Sequence, residues 1–306
     1  MSEREIRMNS VRSLAGIPSS APPPQNPANL ALQESYGRSL IEAGRDTDAY
    51  AHFQKIIARW PRNADALVDY GMLAHRLGHD AEAVDNWQRA VDVDPAQSNA
   101  QLYLAQALDQ QGELQAAARH YHTYLGIIAA RHQKNPADTG PVLAALIKVA
   151  DADAAINHTV DASQGYNAAA DFADKAGEKT LESLALVHLA DLQEKQGNIT
   201  EAAESYQHAL ELDAVLSDAR STASDWFNYA QFLRKQKQPE RYVFACLLHA
   251  ETTLESTPGE ELRVVSEARK ESEARLGKDS AAVRSKLDGI VRESLRLQVS
   301  AQSAKQ

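Results

Sequence analysis

An all-α chain of stacked helical hairpins is the fold class this sequence predicts, and three observations support it. Breakers are scarce: 14 Gly and 11 Pro occur in 306 residues, and seven of the prolines (Pro18, Pro22, Pro23, Pro24, Pro27, Pro136, Pro141) sit in two short stretches. A small-then-aromatic pattern recurs at a fixed step. Phe53, Trp87 and Tyr121 stand 34 residues apart, each four after an alanine (Ala49, Ala83, Ala117), and Gly37, Gly71, Ala105 and Gly44, Gly78, Gly112 keep the same step. Past residue 131 the step breaks and resumes at 40, through Tyr166, Tyr206, Cys246, through Ala150, Ala190, Ala230 and through Leu146, Leu186, Trp226.

Residues 1–28 read as a disordered N-terminal segment: the second half is rich in Pro, Ser and Ala, and Glu3 and Glu5 interrupt any signal-like apolar run. Three 34-residue units follow over 29–131, at 30–63, 64–97 and 98–131. In the second, Ala83, Trp87 and Ala90 share one helix face at spacings of four and three, and Pro95 ends the helix. The bulky place of the first helix is filled by Leu67 there but by Gln33 and Gln101 in units one and three, where Tyr124 also replaces a small residue. Residues 132–142, which include NPADTGP, read as a joint.

The sub-array at 143–256 holds three units, 143–176, 183–216 and 223–256, at the 40-residue period. Six more residues per unit lengthen the helices by about 9 Å in total, at about 1.5 Å per residue. Asn157 stands at the turn of unit four, and Tyr242 and Cys246 replace an alanine and an aromatic in unit six. Tyr36, Tyr70, Leu104, Val149, Leu189 and Tyr229 are expected to pack the first helix of each unit (helix A) on the second (helix B). Residues 257–306 read as a helical hairpin. One helix, 260–276, shows Leu262, Val265, Ala268 and Leu276, and Gly277 ends it; a second presents Val283, Leu287, Ile290, Ser294 and Leu297 as a stripe. The hairpin reads as a cap over the last unit, with a dimerisation or partner-docking element as the alternative.

The stretch DALVDYGMLAHRLGHDAEAVDNWQRAVDVDP (65–95) and its six-fold recurrence in phase resemble the tetratricopeptide repeat family. The resemblance implies a right-handed superhelical solenoid with a C-terminal helical cap. It also implies a concave face lined by the A helices, which in this family often takes short peptide segments. The family's clamp for acidic chaperone tails needs Lys, Asn and Arg where this chain has Glu34, Arg38, Asp69, Asn99 and Tyr103, so that mode is not expected.

The net charge is −10, with −13 on residues 29–258 and +2 on 259–306. An acidic body argues against nucleic acid as a partner. No 18-residue apolar run marks a membrane span. A single cysteine, Cys246, excludes an intramolecular disulfide framework and fits a reducing compartment, so a cytoplasmic location is expected. Cys246 reads as a buried core residue; a reactive thiol would need a cationic neighbour, for which His249 is the candidate. No dinucleotide, P-loop, zincin or nucleophile-elbow motif occurs. The run from Asp92 lacks the Gly and Glu of a calcium loop, having Gln97 and Tyr103 instead, and His75 and His79 flank a turn. No enzyme activity, cofactor or metal is expected.

The expected function is therefore protein–protein interaction, as an adaptor or scaffold of bacterial style. The alternative is a non-catalytic subunit or frame of a larger enzyme or envelope complex. The candidate groove residues are Arg38, Met72, Gln106, Asp151, Val187, Asp191, Phe227, Asn228, Gln231 and Arg234. Phe227 with Gln231 and Arg234 combines an aromatic, an amide and an Arg on one helix face, a composition common at interface hot spots. The acidic places point to a protein or peptide that is basic or neutral and carries apolar anchors.

Overall fold

A computed structural model describes residues 30–134, 139–213, 216, 218–257 and 259–299. The N-terminal segment, residues 135–138 of the joint and the last seven residues lie outside the described residues. Among the described residues the chain is helical, with no strand. It divides into two compact units between Ile127 and Ile128.

The first unit is a run of helical hairpins: α1 (Leu30–Glu42), α2 (Asp46–Arg59), α3 (Ala64–Arg76), α4 (Asp80–Val93), α5 (Ser98–Gln110) and α6 (Leu114–Lys134), inside which the division falls. Helices α1 to α5 have 13 or 14 residues. Local chemistry fixes where they start and turn. The Asn63 side chain accepts from the Ala66 amide at 2.7 Å and opens α3, and Gln97 does the same for α5 through Asn99 at 2.8 Å. Gly44, Gly78 and Gly112 hold φ of 70°, 82° and 78° at the A-to-B turns, a left-handed conformation that costs a side-chain-bearing residue about 1 kcal/mol or more.

The 34-residue step has a direct packing cause. A Cβ at Gly37 would lie 2.5 Å from the Phe53 ring, and one at Gly71 would lie 2.6 Å from Trp87 Nε1, so helix B drops its ring onto bare backbone of helix A. The third hairpin places Ala105 and Tyr121 there, both buried. A histidine 19 residues downstream meets each glutamine at the bulky place: His120 bonds the Gln101 side chain at Oε1 at 2.7 Å, whereas His52 bonds the backbone carbonyl of Gln33 at 2.9 Å.

The second unit contains α7 (Thr139–Ala155), α8 (Thr159–Ala176), α9 (Lys179–Gln196), α10 (Ile199–Asp213), α11 (Ala219–Lys235) and α12 (Glu240–Leu254). These have 15 to 18 residues, so the extra residues of the 40-residue step lengthen the helices. Residues 132–134 and 139–142, at the two ends of the stretch read as a joint, belong to α6 and α7. At the A-to-B turns Asn157 (φ 62°), Gly197 (φ 81°) and Lys237 (φ 53°) take the left-handed conformation. Of the six residues expected to pack A on B, Tyr70, Leu104, Val149, Leu189 and Tyr229 are buried; Tyr36 is half-buried, edge-on to His52.

Helix α13 (Glu260–Leu276) packs on α12 with the boundaries expected. The stripe read as one following helix is instead a 3₁₀ turn (Gly277–Asp279), α14 (Ser280–Ser285) and α15 (Leu287–Ser294), broken at Lys286 (φ −126°, ψ 24°). In a straight helix Val283 and Val291 would point about 80° apart at about 100° per residue. The break lets both bury while α14 and α15 each contact α12. Leu297 consequently lies beyond the helix.

Candidate functional site

In the second unit the A helices α7, α9 and α11 are bordered by two recesses that share Asp191 and Lys195. The smaller, about 290 Å³, lies between α7 and α9 and includes Asp151, Tyr166 and His188. Asp151 is heavily engaged: Tyr166 donates to its Oδ1 at 2.8 Å, and His188 Nδ1 approaches the same oxygen at 2.7 Å. Burial opposes the Asp151 charge, but the His188 and Tyr166 bonds outweigh it and hold the carboxyl below its usual range. The Asp151 hydrogen bond and charge in turn hold the His188 imidazole above its usual value, against burial. Burial and the Asp151 charge push the Tyr166 hydroxyl up, so it stays a donor.

The larger recess, about 600 Å³, lies between α9 and α11 and is lined by Asp191, Glu194, Lys195, Tyr206, Asn228 and Gln231, with Lys235 at its edge. Tyr206 donates to Asp191, and Lys235 bonds Glu194 at 2.9 Å. The repeat explains the tyrosines: Tyr166 and Tyr206 follow Asp151 and Asp191 by 15 residues, whereas the residue 15 after Gln231 is Cys246. Gln231 therefore lacks the hydroxyl that covers its two counterparts.

The candidate residues fall into three groups. Asp151, Asp191, Asn228 and Gln231 line the two recesses of the second unit. Met72 and Gln106 line a separate recess of about 350 Å³ in the first unit, beside Trp87 and Tyr103, and Arg38 is spent on Asp69 at 2.8 Å. Val187 is buried, Phe227 is half-buried against the core, and Arg234 bonds Glu240 at 3.3 Å, so the structure does not bring Phe227 and Arg234 to the recess with Gln231. Lys195, Tyr206 and Lys235 were not among the expected residues; the 40-residue step from Tyr166 to Tyr206 was the available signal.

Other side chains are occupied structurally. Cys246 is fully buried, and burial pushes its thiol up to about 12; His249, set edge-on against Trp226 at 4.9 Å, has its pKa lowered by burial and supplies no cation to the thiol. His75 pairs with Asp80 at 2.6 Å, and His79 lies 3.6 Å from Glu82, which takes hydroxyl bonds from Tyr50 (2.5 Å) and Tyr70 (2.6 Å).

Two family models, both described as tetratricopeptide repeat, match this chain, one at residues 35–87 and 77–136 and the other at 184–215. The chain is a tetratricopeptide repeat protein. Its fold is similar to that of PilW, described as a widely conserved type IV pilus biogenesis factor (TM-score 0.54, 14% identity, 78% of this chain and 99% of that one). It is also similar to PilF of Pseudomonas aeruginosa (TM-score 0.52, 12% identity, 80% and 97%). A tetratricopeptide repeat protein of Parabacteroides merdae gives a TM-score of 0.51 at 14% identity, over 88% and 94% of the two chains. At these identities the likeness concerns the fold. No curated protein matches the chain. Among the described residues of this repeat protein, no helix is long and apolar enough to cross a membrane.

Proposed function

We propose that this tetratricopeptide repeat protein is a non-catalytic adaptor or scaffold that holds a segment of a protein partner between α9 and α11. The reading rests on the contrast between the two gaps of the second unit. Between α7 and α9, His188 reaches across to Asp151. Forty residues on, Asn228 takes the place of His188 and forms no hydrogen bond to Asp191, and the recess there is about twice as large. The amides of Asn228 and Gln231 offer both donors and acceptors, which an extended peptide backbone needs on leaving water. Glu194 is neutralised by Lys235, while Asp191 is met by a neutral tyrosine hydroxyl. A basic or neutral segment with an apolar anchor fits that balance. The setting we propose is the cytoplasm, with which a single free thiol is compatible.

The test is an Asn228→Ala/Gln231→Ala variant compared with the wild type in a crosslinking pull-down from the native host, read by mass spectrometry. Both side chains are half-buried at the recess, so melting is expected to change by no more than about 0.5 kcal/mol. Loss of a captured partner by the folded variant supports the site. Full retention rejects it and moves attention to Met72 and Gln106 of the first unit.

A further inference from the structure

The second unit buries two carboxylates around one hydroxyl. Ser183 on α9, Asp213 at the end of α10 and Asp225 on α11 are 0%, 3% and 5% exposed. Ser183 Oγ lies 3.1 Å from Asp213 Oδ1, 3.1 Å from Asp225 Oδ2 and 3.3 Å from the Ala209 carbonyl oxygen. With both acids ionised, all three neighbours are acceptors, and a serine hydroxyl has a single proton to donate. At least two of the contacts would then set lone pairs against each other where little water reaches. One proton on either carboxyl removes the conflict, because that acid can donate to Ser183 Oγ or to the other carboxylate.

The repeat register makes the cluster more telling. One 40-residue step earlier, the three places hold Leu143, Ala173 and Ala185, all fully buried. The preceding repeat fills these three positions with apolar side chains, so the hairpin packing does not itself demand acids there. Two like charges brought together in a poorly solvated site cannot both ionise freely.

We propose that Ser183, Asp213 and Asp225 form a proton-held latch joining the α9–α10 hairpin to α11, closed when the pair carries one proton and loosened when both carboxylates ionise. The surrounding charges do not neutralise the pair: the His188 charge favours the Asp225 carboxylate but is outweighed by burial and by Asp213. On α9, Glu182 is bonded to Lys179 at 2.8 Å, and His188 is bonded to Asp151. On α10, His208 lies 3.8 Å from Glu182, and the Tyr206 hydroxyl is committed to Asp191. On α12, His249 rests against Trp226, the neighbour of Asp225. Burial, reinforced by the Asp213 charge, pushes Asp225 up to about 7, and burial raises Asp213 as well. An acid raised on folding holds a proton that the unfolded chain releases near pH ~4. Its stabilisation is complete below that value and is lost as pH rises through the folded pKa.

The experiment is thermal melting of the full chain between about pH 5 and about pH 8 for the wild type, Asp225→Asn and His188→Gln. The wild type is expected to lose roughly 5 °C across this range. Asp225→Asn removes the second charge and flattens the dependence. His188 also titrates with a raised pKa and the same sign, so His188→Gln separates the two and is expected to keep most of the slope. A flat wild type, or an Asp225→Asn variant that keeps the full slope, overturns the latch. Should Asp225→Asn fail to fold, infrared spectroscopy of the wild type decides. A protonated-carboxyl band near pH 6 that disappears by pH 9 supports the latch, and its absence near pH 6 overturns it.

Discussion

Gly71 has no side chain because Trp87 occupies the space one would fill: an added Cβ would lie 2.6 Å from Trp87 Nε1 and 3.1 Å from the Ala83 carbonyl oxygen. Gly71→Ala is therefore expected to destabilise the protein by about 1–3 kcal/mol, the usual range for overpacking. The third hairpin solves the same problem with Ala105 under Tyr121, so adding Trp87→Tyr to Gly71→Ala is expected to recover part of the loss. Urea titration of the two singles and the double measures the coupling; strict additivity would show that the ring and the glycine do not share this space. His188 supplies a second prediction. Its imidazole is expected to titrate above the ordinary ~6.5, because Asp151 favours the charged ring, and Asp151→Asn is expected to bring it down. The contribution of His188 to stability is complete below the unfolded pKa and is lost as pH rises through the folded one. That of Asp151, whose pKa is lowered, is present above ~3.9 and lost as pH falls through its folded value. Imidazole NMR titration of both proteins checks the pair; identical His188 titrations would show that Asp151 does not set the charge state of the ring.

At the scale of the element, the end of the chain uses the hairpin whose helix B carries no aromatic at the ring position of the repeat. Cys246 stands where Tyr166 and Tyr206 stand in the neighbouring repeats, and Ser294 of α15 fills the room, with Oγ 3.5 Å from the thiol. The Tyr229 hydroxyl donates to the Ser294 carbonyl at 2.6 Å, and the Gln207 amide donates to the Leu297 carbonyl at 3.0 Å. Removing residues 287–306 is thus expected to raise the rate of Cys246 labelling by a thiol reagent by roughly tenfold or more, since a buried thiol with a high pKa is unreactive while covered. An unchanged rate, with helical content retained, would mean that another segment covers the thiol. The exchange of an aromatic for Cys246 was legible in the sequence as a departure from the repeat. What takes up the space was not, because periodicity describes faces of straight helices, and the break at Lys286 obeys the demand of Val283 and Val291 for one surface.

Across the whole molecule, the repeat register was legible because it repeats: each ring-on-small-residue contact supplies its own copy 34 or 40 residues on. The candidate groove was less so. A sequence places Asp151, Asp191 and Arg38 on a helix face but does not reveal that His188 and Tyr166, Tyr206, and Asp69 already engage them. The acid latch left a trace, two aspartates 40 residues after buried alanines, that acquires meaning only once burial is known. The same logic orders the effect of truncations. Trp87 is nearly fully buried in the first unit and lies over Gly71, whereas Phe227 is half-buried in the second. Trp87→Ala is expected to cost about 3–5 kcal/mol, and Phe227→Ala less, because part of that ring is already in water. In an array whose repeats contact only their neighbours, a lesion weakens its own stretch most. In a Trp60→Phe background, Trp87→Ala leaves Trp226, in the second unit, as the remaining tryptophan and so a local reporter: its fluorescence is expected to change near the wild-type urea midpoint, while circular dichroism gains an earlier phase. Phe227→Ala is expected to shift the Trp226 transition instead. A single transition, equally displaced in both variants by both probes, would show that the chain unfolds as one cooperative body and that the two compact units share their stability.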